Sequence, residues 1–133
     1  MKASSVFHPD LGYVATTFGG RVTLPELGAH IQAMWADPRW KPEYNGLLDF
    51  SDATLDLSES QIQDLTKSMS LDPRCSFGRW ALVVTTAVTF AKLRKVDDVV
   101  DLKAALRIFF DRPAALEWLL SLRKTSRDLQ GNP

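Results

Sequence analysis

Apolar residues along this chain fall into two kinds of pattern, short contiguous runs and repeats at spacings of three and four, and each change of pattern marks a change of element. Val6 and Phe7, the reversal-prone Pro9-Asp10-Leu11-Gly12 and the β-branched and aromatic residues at 13–18 predict an opening β-hairpin. Gly19-Gly20 is expected to stop the second strand. A helix should then start at Thr23, with Thr23 as N-cap, Glu26 as its capping-box partner and Pro25 tolerated in the first turn. Leu24, Leu27, Ile31, Met34 and Trp35 lie on one face of that helix, and Asp37-Pro38 closes it.

Residues 44–50 read as a short, mostly buried strand, in which Gly46 points to close backbone approach. An acidic, hydroxyl-rich loop is expected to follow, running into a second helix with complete capping chemistry. Ser58 is its N-cap and Gln61 the box partner, and Leu57 and Ile62 occupy the positions of a hydrophobic staple. Ile62, Leu65 and Met69 continue one stripe until Asp72-Pro73.

Residues 80–86 are continuously apolar at first, as a parallel strand covered on both faces should be. Residue 87 to about residue 103 is expected to be helical in part, with Phe90, Leu93, Val96 and Val100 at helical spacing. Residues 106–110 give the last strand, Asp111 caps the next helix with Pro113 in its first turn, and Ala115, Trp118, Leu119 and Leu122 form its core face. The fold class is therefore α/β: a single-layer mixed, mostly parallel sheet of about five strands, opening with a β-hairpin and flanked by about four helices. Residues 1–124 are expected to form one domain, and the polar stretch 125–133 a flexible tail.

Composition narrows the function classes. Sixteen basic and sixteen acidic residues cancel, which removes the positive excess that draws a protein to nucleic acid, and near-zero net charge makes self-association, as a homodimer, the expectation. The lone Cys75 cannot form an internal disulfide, and Met1-Lys2-Ala3-Ser4-Ser5 lacks the apolar stretch of a signal peptide, so the cytoplasm is the expected compartment. The apolar run at 80–84 is far short of the roughly 20 residues of a membrane-spanning helix, so no integral membrane association is expected.

The order of elements, carried by residues 13–18 with Gly20-Arg21-Val22-Thr23, by Leu47-Leu48-Asp49-Phe50 before a serine-capped helix, by Ala81-Leu82-Val83-Val84 and by Ile108-Phe109-Phe110-Asp111 with Ala114-Ala115-Leu116-Glu117-Trp118-Leu119, resembles the small bacterial SpoIIAA-like proteins of the STAS and SEC14-like superfamily. The resemblance spans about residue 6 to about residue 122, and its motifs are apolar, specifying fold more than chemistry. It implies a non-enzymatic regulatory or protein-interaction domain. Anti-sigma-factor antagonists in that superfamily are switched by phosphorylation at the start of the helix after this strand. The matching position is Ser58, within Asp56-Leu57-Ser58-Glu59 where those antagonists carry an Asp-Ser-Ser-Gly type sequence.

Asp49, Ser51, Asp52, Ser58 and Ser60 are accordingly the regulatory or interaction candidates, although an N-cap role already accounts for Ser58 and neighbouring backbone donors would account for Asp49. Phe90, Leu93 and Phe109 are the candidates for an apolar ligand, since the alternative implied by SEC14-like kinship is a carrier or sensor of a small lipid-like molecule. Trp35 and Trp40, near the end of the first helix, are read either as exposed anchors for a dimer or partner surface or as packing inward. His8 and His30 have no companions in a catalytic pattern, and Asp49, Asp52 and Asp56 lack the glycine and terminal glutamate of a calcium loop. No catalytic residue, cofactor or metal is expected, and the protein partner stays unnamed.

Overall fold

The computed structural model describes residues 1–71, 79–86, 89–91 and 106–120. Five strands, β1 (Lys2–His8), β2 (Tyr13–Thr23), β3 (Asn45–Asp56), β4 (Trp80–Val83) and β5 (Leu106–Phe109), form one sheet in chain order. β1 and β2 are antiparallel and the remaining neighbours are parallel. The helices are α1 (Leu24–Ala36), α2 (Glu59–Leu71), α3 at residues 89–91 and α4 at residues 112–120. The α/β class and the opening hairpin are as expected. Gly12 closes that hairpin with φ +69°, in the left-handed region open to glycine, and its N–H donates to the His8 carbonyl at 2.9 Å.

Two strands are longer than their local sequence indicates. Gly19-Gly20 does not end β2, which runs on to Thr23, and the segment expected to be a loop after residue 50 is strand to Asp56. The cause is mutual: residues Gly19 to Thr23 pair with Asp52 to Asp56, so each glycine-weakened or acidic half-strand is held by the other. Between the pairs Thr17 with Asp49 and Gly19 with Asp52 the register slips by one residue of β3, a bulge centred at Phe50-Ser51. Beyond it Ala53 and Leu55 still reach the core while Asp52, Thr54 and Asp56 face water.

The two faces of the sheet carry separate cores. On one, Val14, Phe18, Val22, Leu48, Phe50, Trp80, Leu82 and Val84 pack under Leu27, Ile31, Met34 and Trp35 of α1, Leu57 just before α2 and Ile62 in its first turn. On the other, Tyr13, Ala15, Leu47, Ala81 and Val83 meet Ala115 and Leu119 of α4. Each large apolar side chain so buried stabilises the fold by roughly 1.5–3 kcal/mol. This double covering is why β4 reads as a continuous apolar run. β4 and β5 each stop short of the expected ends, at Val83 and Phe109, as the Val84 N–H turns to donate to the Phe109 carbonyl at 2.9 Å.

Capping chemistry divides. At α2 the box is complete: the Gln61 N–H donates to Ser58 Oγ at 3.1 Å and the Ser58 N–H to Gln61 Oε1 at 3.0 Å, while Leu57 and Ile62 are both buried. At α4 Asp111 Oδ1 accepts the Ala114 N–H at 2.8 Å. At α1 Thr23 makes no side-chain cap bond to the backbone; its hydroxyl donates to Glu26 Oε1 at 2.9 Å, and the Met1 ammonium pairs with the other Glu26 oxygen at 3.3 Å. Glu26 thus takes the Thr23 hydroxyl that would otherwise cap the helix. Trp35 and Trp40 are not exposed anchors but take the inward alternative: both are buried, and Trp40 packs against the Tyr44 and Trp80 rings, each at 6.0 Å. Gly46 does permit close approach: a Cβ there would collide with the Trp80 ring. Cys75, Leu93, Val96, Val100, Leu122, the Asp72-Pro73 stop and the 125–133 tail lie outside the described residues, as does the side chain of Met69.

Candidate functional site

β4 and β5 end level with Asp49, because Val83 pairs with Asp49 and Phe109 with Val83, whereas β2 and β3 continue past them. A step is left at the carboxyl ends of the two shorter strands, the position at which open α/β sheets gather ligands and contacts. Thr17 is the β2 partner of Asp49. The Asp49 side chain is 8 % exposed. Its Oδ1 accepts the Ser51 N–H at 2.9 Å and a short bond from the Ser51 hydroxyl, a geometry that the bulge makes available. Its Oδ2 accepts from Arg112 Nη1 at 3.1 Å, and the same nitrogen reaches Thr17 Oγ1 at 3.1 Å.

Arg112 is the first residue of α4, a position where the helix dipole disfavours a cation. The sequence reading missed it, although a basic residue beside a capping Asp111 and Pro113 breaks the local rule and signals a partner elsewhere in the chain. Thr17 carried no such signal. The four side chains form a closed arrangement in which both carboxylate oxygens are engaged and the charges are paired, so it offers a fixed pattern of donors and acceptors. Around it lie the exposed Asp52, Thr85, Thr86 and Asp111, with the Thr85 hydroxyl donating to the Ser51 carbonyl at 3.4 Å. Phe110 is 53 % exposed and stacks on Phe90 at 4.6 Å.

The five predicted interaction residues separate. Asp49 and Ser51 join Thr17 and Arg112, with Asp52 at their margin, while Ser58 and Ser60 are exposed at the start of α2. The seven strand steps from Asp49 to Asp56 cover roughly 23 Å. An exposed ion pair between Arg21 and Asp56 marks that far end. The apolar candidates separate as well: Phe90 packs against the α1/α2 core, whereas Phe109 belongs to the α4 core, 5.7 Å from the Trp118 ring. Among the described residues, no three of His, Cys, Asp and Glu converge as metal ligands would. His8 stacks on Tyr13 at 4.5 Å; His30 Nε2 hydrogen-bonds Ser5 Oγ at 3.1 Å, and burial pushes its pKa down. No described helix is long and apolar enough to cross a membrane.

Neither protein-family models nor curated proteins give a match to the sequence. Among solved structures, the chain is similar to an uncharacterised protein of the DUF3478 family with a SpoIIAA-like fold from Shewanella loihica PV-4. The TM-score is 0.56 at 19% identity, over 89% of this chain and 92% of that one. This chain has a SpoIIAA-like fold. At such identity the likeness is one of fold. Within the SpoIIAA-like frame, the Asp49 cluster lies at the end of the inner parallel strands and Ser58 at the start of the helix after β3.

Proposed function

We propose that this chain is a non-enzymatic, STAS-like interaction domain of the cytoplasm that works as a homodimer, with the Asp49 cluster as a protein contact surface and Ser58 as a separate switch point. The observation that carries the reading is the pairing of Asp49 with Arg112, Thr17 and Ser51 beneath an exposed rim of Asp52, Thr85 and Phe110. A set whose polar groups satisfy one another lacks the free base or nucleophile that catalysis needs, but presents the rigid polar shape and accessible aromatic that recognition uses. At Ser58 a phosphate would add charge at a helix amino terminus, favoured by the dipole and opposed by neighbouring Asp56 and Glu59.

Quantitative comparison of the proteins bound by wild type, Ser51→Ala, Ser58→Ala and Arg112→Glu in a host lysate tests this. Loss of a specific partner in Arg112→Glu or either serine variant supports it; an identical set in all four sinks it. The alternative of an apolar-ligand carrier draws on the stack of Phe90 with the half-exposed Phe110. Intact mass under native and then denaturing conditions separates the two: a small mass lost on denaturation favours the carrier, and a phosphate retained on the Ser58 peptide favours the switch.

A further inference from the structure

On the side away from β2, β1 has no strand neighbour among the described residues. The two edges of the sheet differ. β5 is four residues long and carries the exposed Arg107, whereas β1 is seven residues long, with Lys2 its only lysine or arginine and no proline or bulge in its pairing with β2. Charges, prolines and bulges are the devices that keep free edges from pairing, and β1 has little of them. Of the four large apolar side chains exposed among the described residues, three lie on this hairpin: Met1, Val6 at 52 % and Leu11. Val6 pairs with Ala15 and so shares the sheet face of Tyr13 and Ala15, the face that α4 covers through Ala115 and Leu119.

We propose that the β1 edge binds a second copy of this chain, strand to strand and antiparallel about a two-fold axis at Val6; this locates the homodimer of the preceding reading and rests on it. The register is chosen by the exposed side chains. With Val6 opposite the partner's Val6, Ser4 falls opposite the partner's His8, and Lys2 and Met1 run toward the partner's turn, where Asp10 and Leu11 lie. One alignment therefore gives each exposed apolar residue of the hairpin an apolar counterpart and sets Lys2 against an acidic residue at both ends. Two sheets would join into one of ten strands, and the outward backbone groups of β1, which have no strand partner among the described residues, would be satisfied.

Sedimentation velocity on the purified chain should show a dimer for wild type and a monomer with an unchanged far-UV CD spectrum for Val6→Lys, which sets two ammonium groups face to face. In a Cys75→Ser background, Val6→Cys should form a covalent dimer on mild oxidation, since directly opposed residues in an antiparallel pair have Cα atoms about 4.5–5.5 Å apart, within disulfide reach. A wild-type monomer at every accessible concentration overturns both the homodimer reading and this interface. A wild-type dimer that survives Val6→Lys and leaves Val6→Cys uncrosslinked overturns the β1 interface alone.

Discussion

Arg112 Nη1 donates to Asp49 Oδ2 at 3.1 Å across a sequence separation of 63 residues, tying the first residue of α4 to the middle of the central strand. The contact sets where α4 begins over the sheet, and it keeps an almost buried carboxylate from being left with only one oxygen satisfied. Removing the cation while keeping the carboxylate is therefore worse than removing both.

Arg112→Ala should lower stability by about 1–2 kcal/mol, the lower part of the range for charge-assisted bonds because the guanidinium is partly solvated. Asp49→Asn should cost less, and the double variant less than the sum of the two. Urea denaturation of the four proteins in a double-mutant cycle measures this, with a coupling of about 0.5–1.5 kcal/mol expected. Additive effects would show that the two side chains do not act together.

Gly46→Ala should destabilise by about 1–3 kcal/mol, because the added methyl meets the buried Trp80 ring. Trp80→Phe should relieve part of that cost, since it shrinks the ring and removes a buried indole N–H that has no acceptor among the described residues. Thermal melts of the single and double variants provide the check; a Gly46→Ala protein as stable as wild type would contradict the packing.

Ser58→Ala should cost about 1 kcal/mol through loss of the bond from the Gln61 N–H, and Ser58→Asp should recover most of it, because a carboxylate serves equally well as a cap. Guanidinium denaturation distinguishes the two variants. Where partner binding is lost in Ser58→Asp but retained in Ser58→Ala, the effect comes from charge and not from the cap.

His30 makes stability depend on pH. His30 lies on the sheet side of α1, edge-on to Phe18 and bonded to Ser5, and its partial burial lowers its pKa from the ordinary 6.5, so the unfolded chain takes up a proton before the folded one does. Between those two values the unfolded state binds more protons and stability rises with pH. The stabilisation is thus fully present above the unfolded value and is lost as pH falls through it toward the folded value. Denaturation midpoints measured from about pH 8 to about pH 5 should fall less steeply in His30→Gln than in wild type.

Local rules determined much of this protein from sequence alone. The hairpin closed by Gly12, the α1 stripe of Leu27, Ile31 and Met34, the Ser58-Gln61 box and the Asp111 cap all depend on neighbours within four positions, so their patterns are readable without a fold. The α/β class followed from their order. Tertiary structure alone decided the rest, because the deciding partners are distant in sequence. The glycines of β2 and the acidic stretch of β3 are strand only because they pair with each other, Trp40 is buried because Trp80 arrives beside it, and Asp49 finds its counter-charge on α4. A hydrogen-bond ladder or an ion pair between separate elements leaves no periodicity in either segment; Arg112, set against the helix dipole, and Gly46, set within a strand, mark distant partners by breaking a local rule.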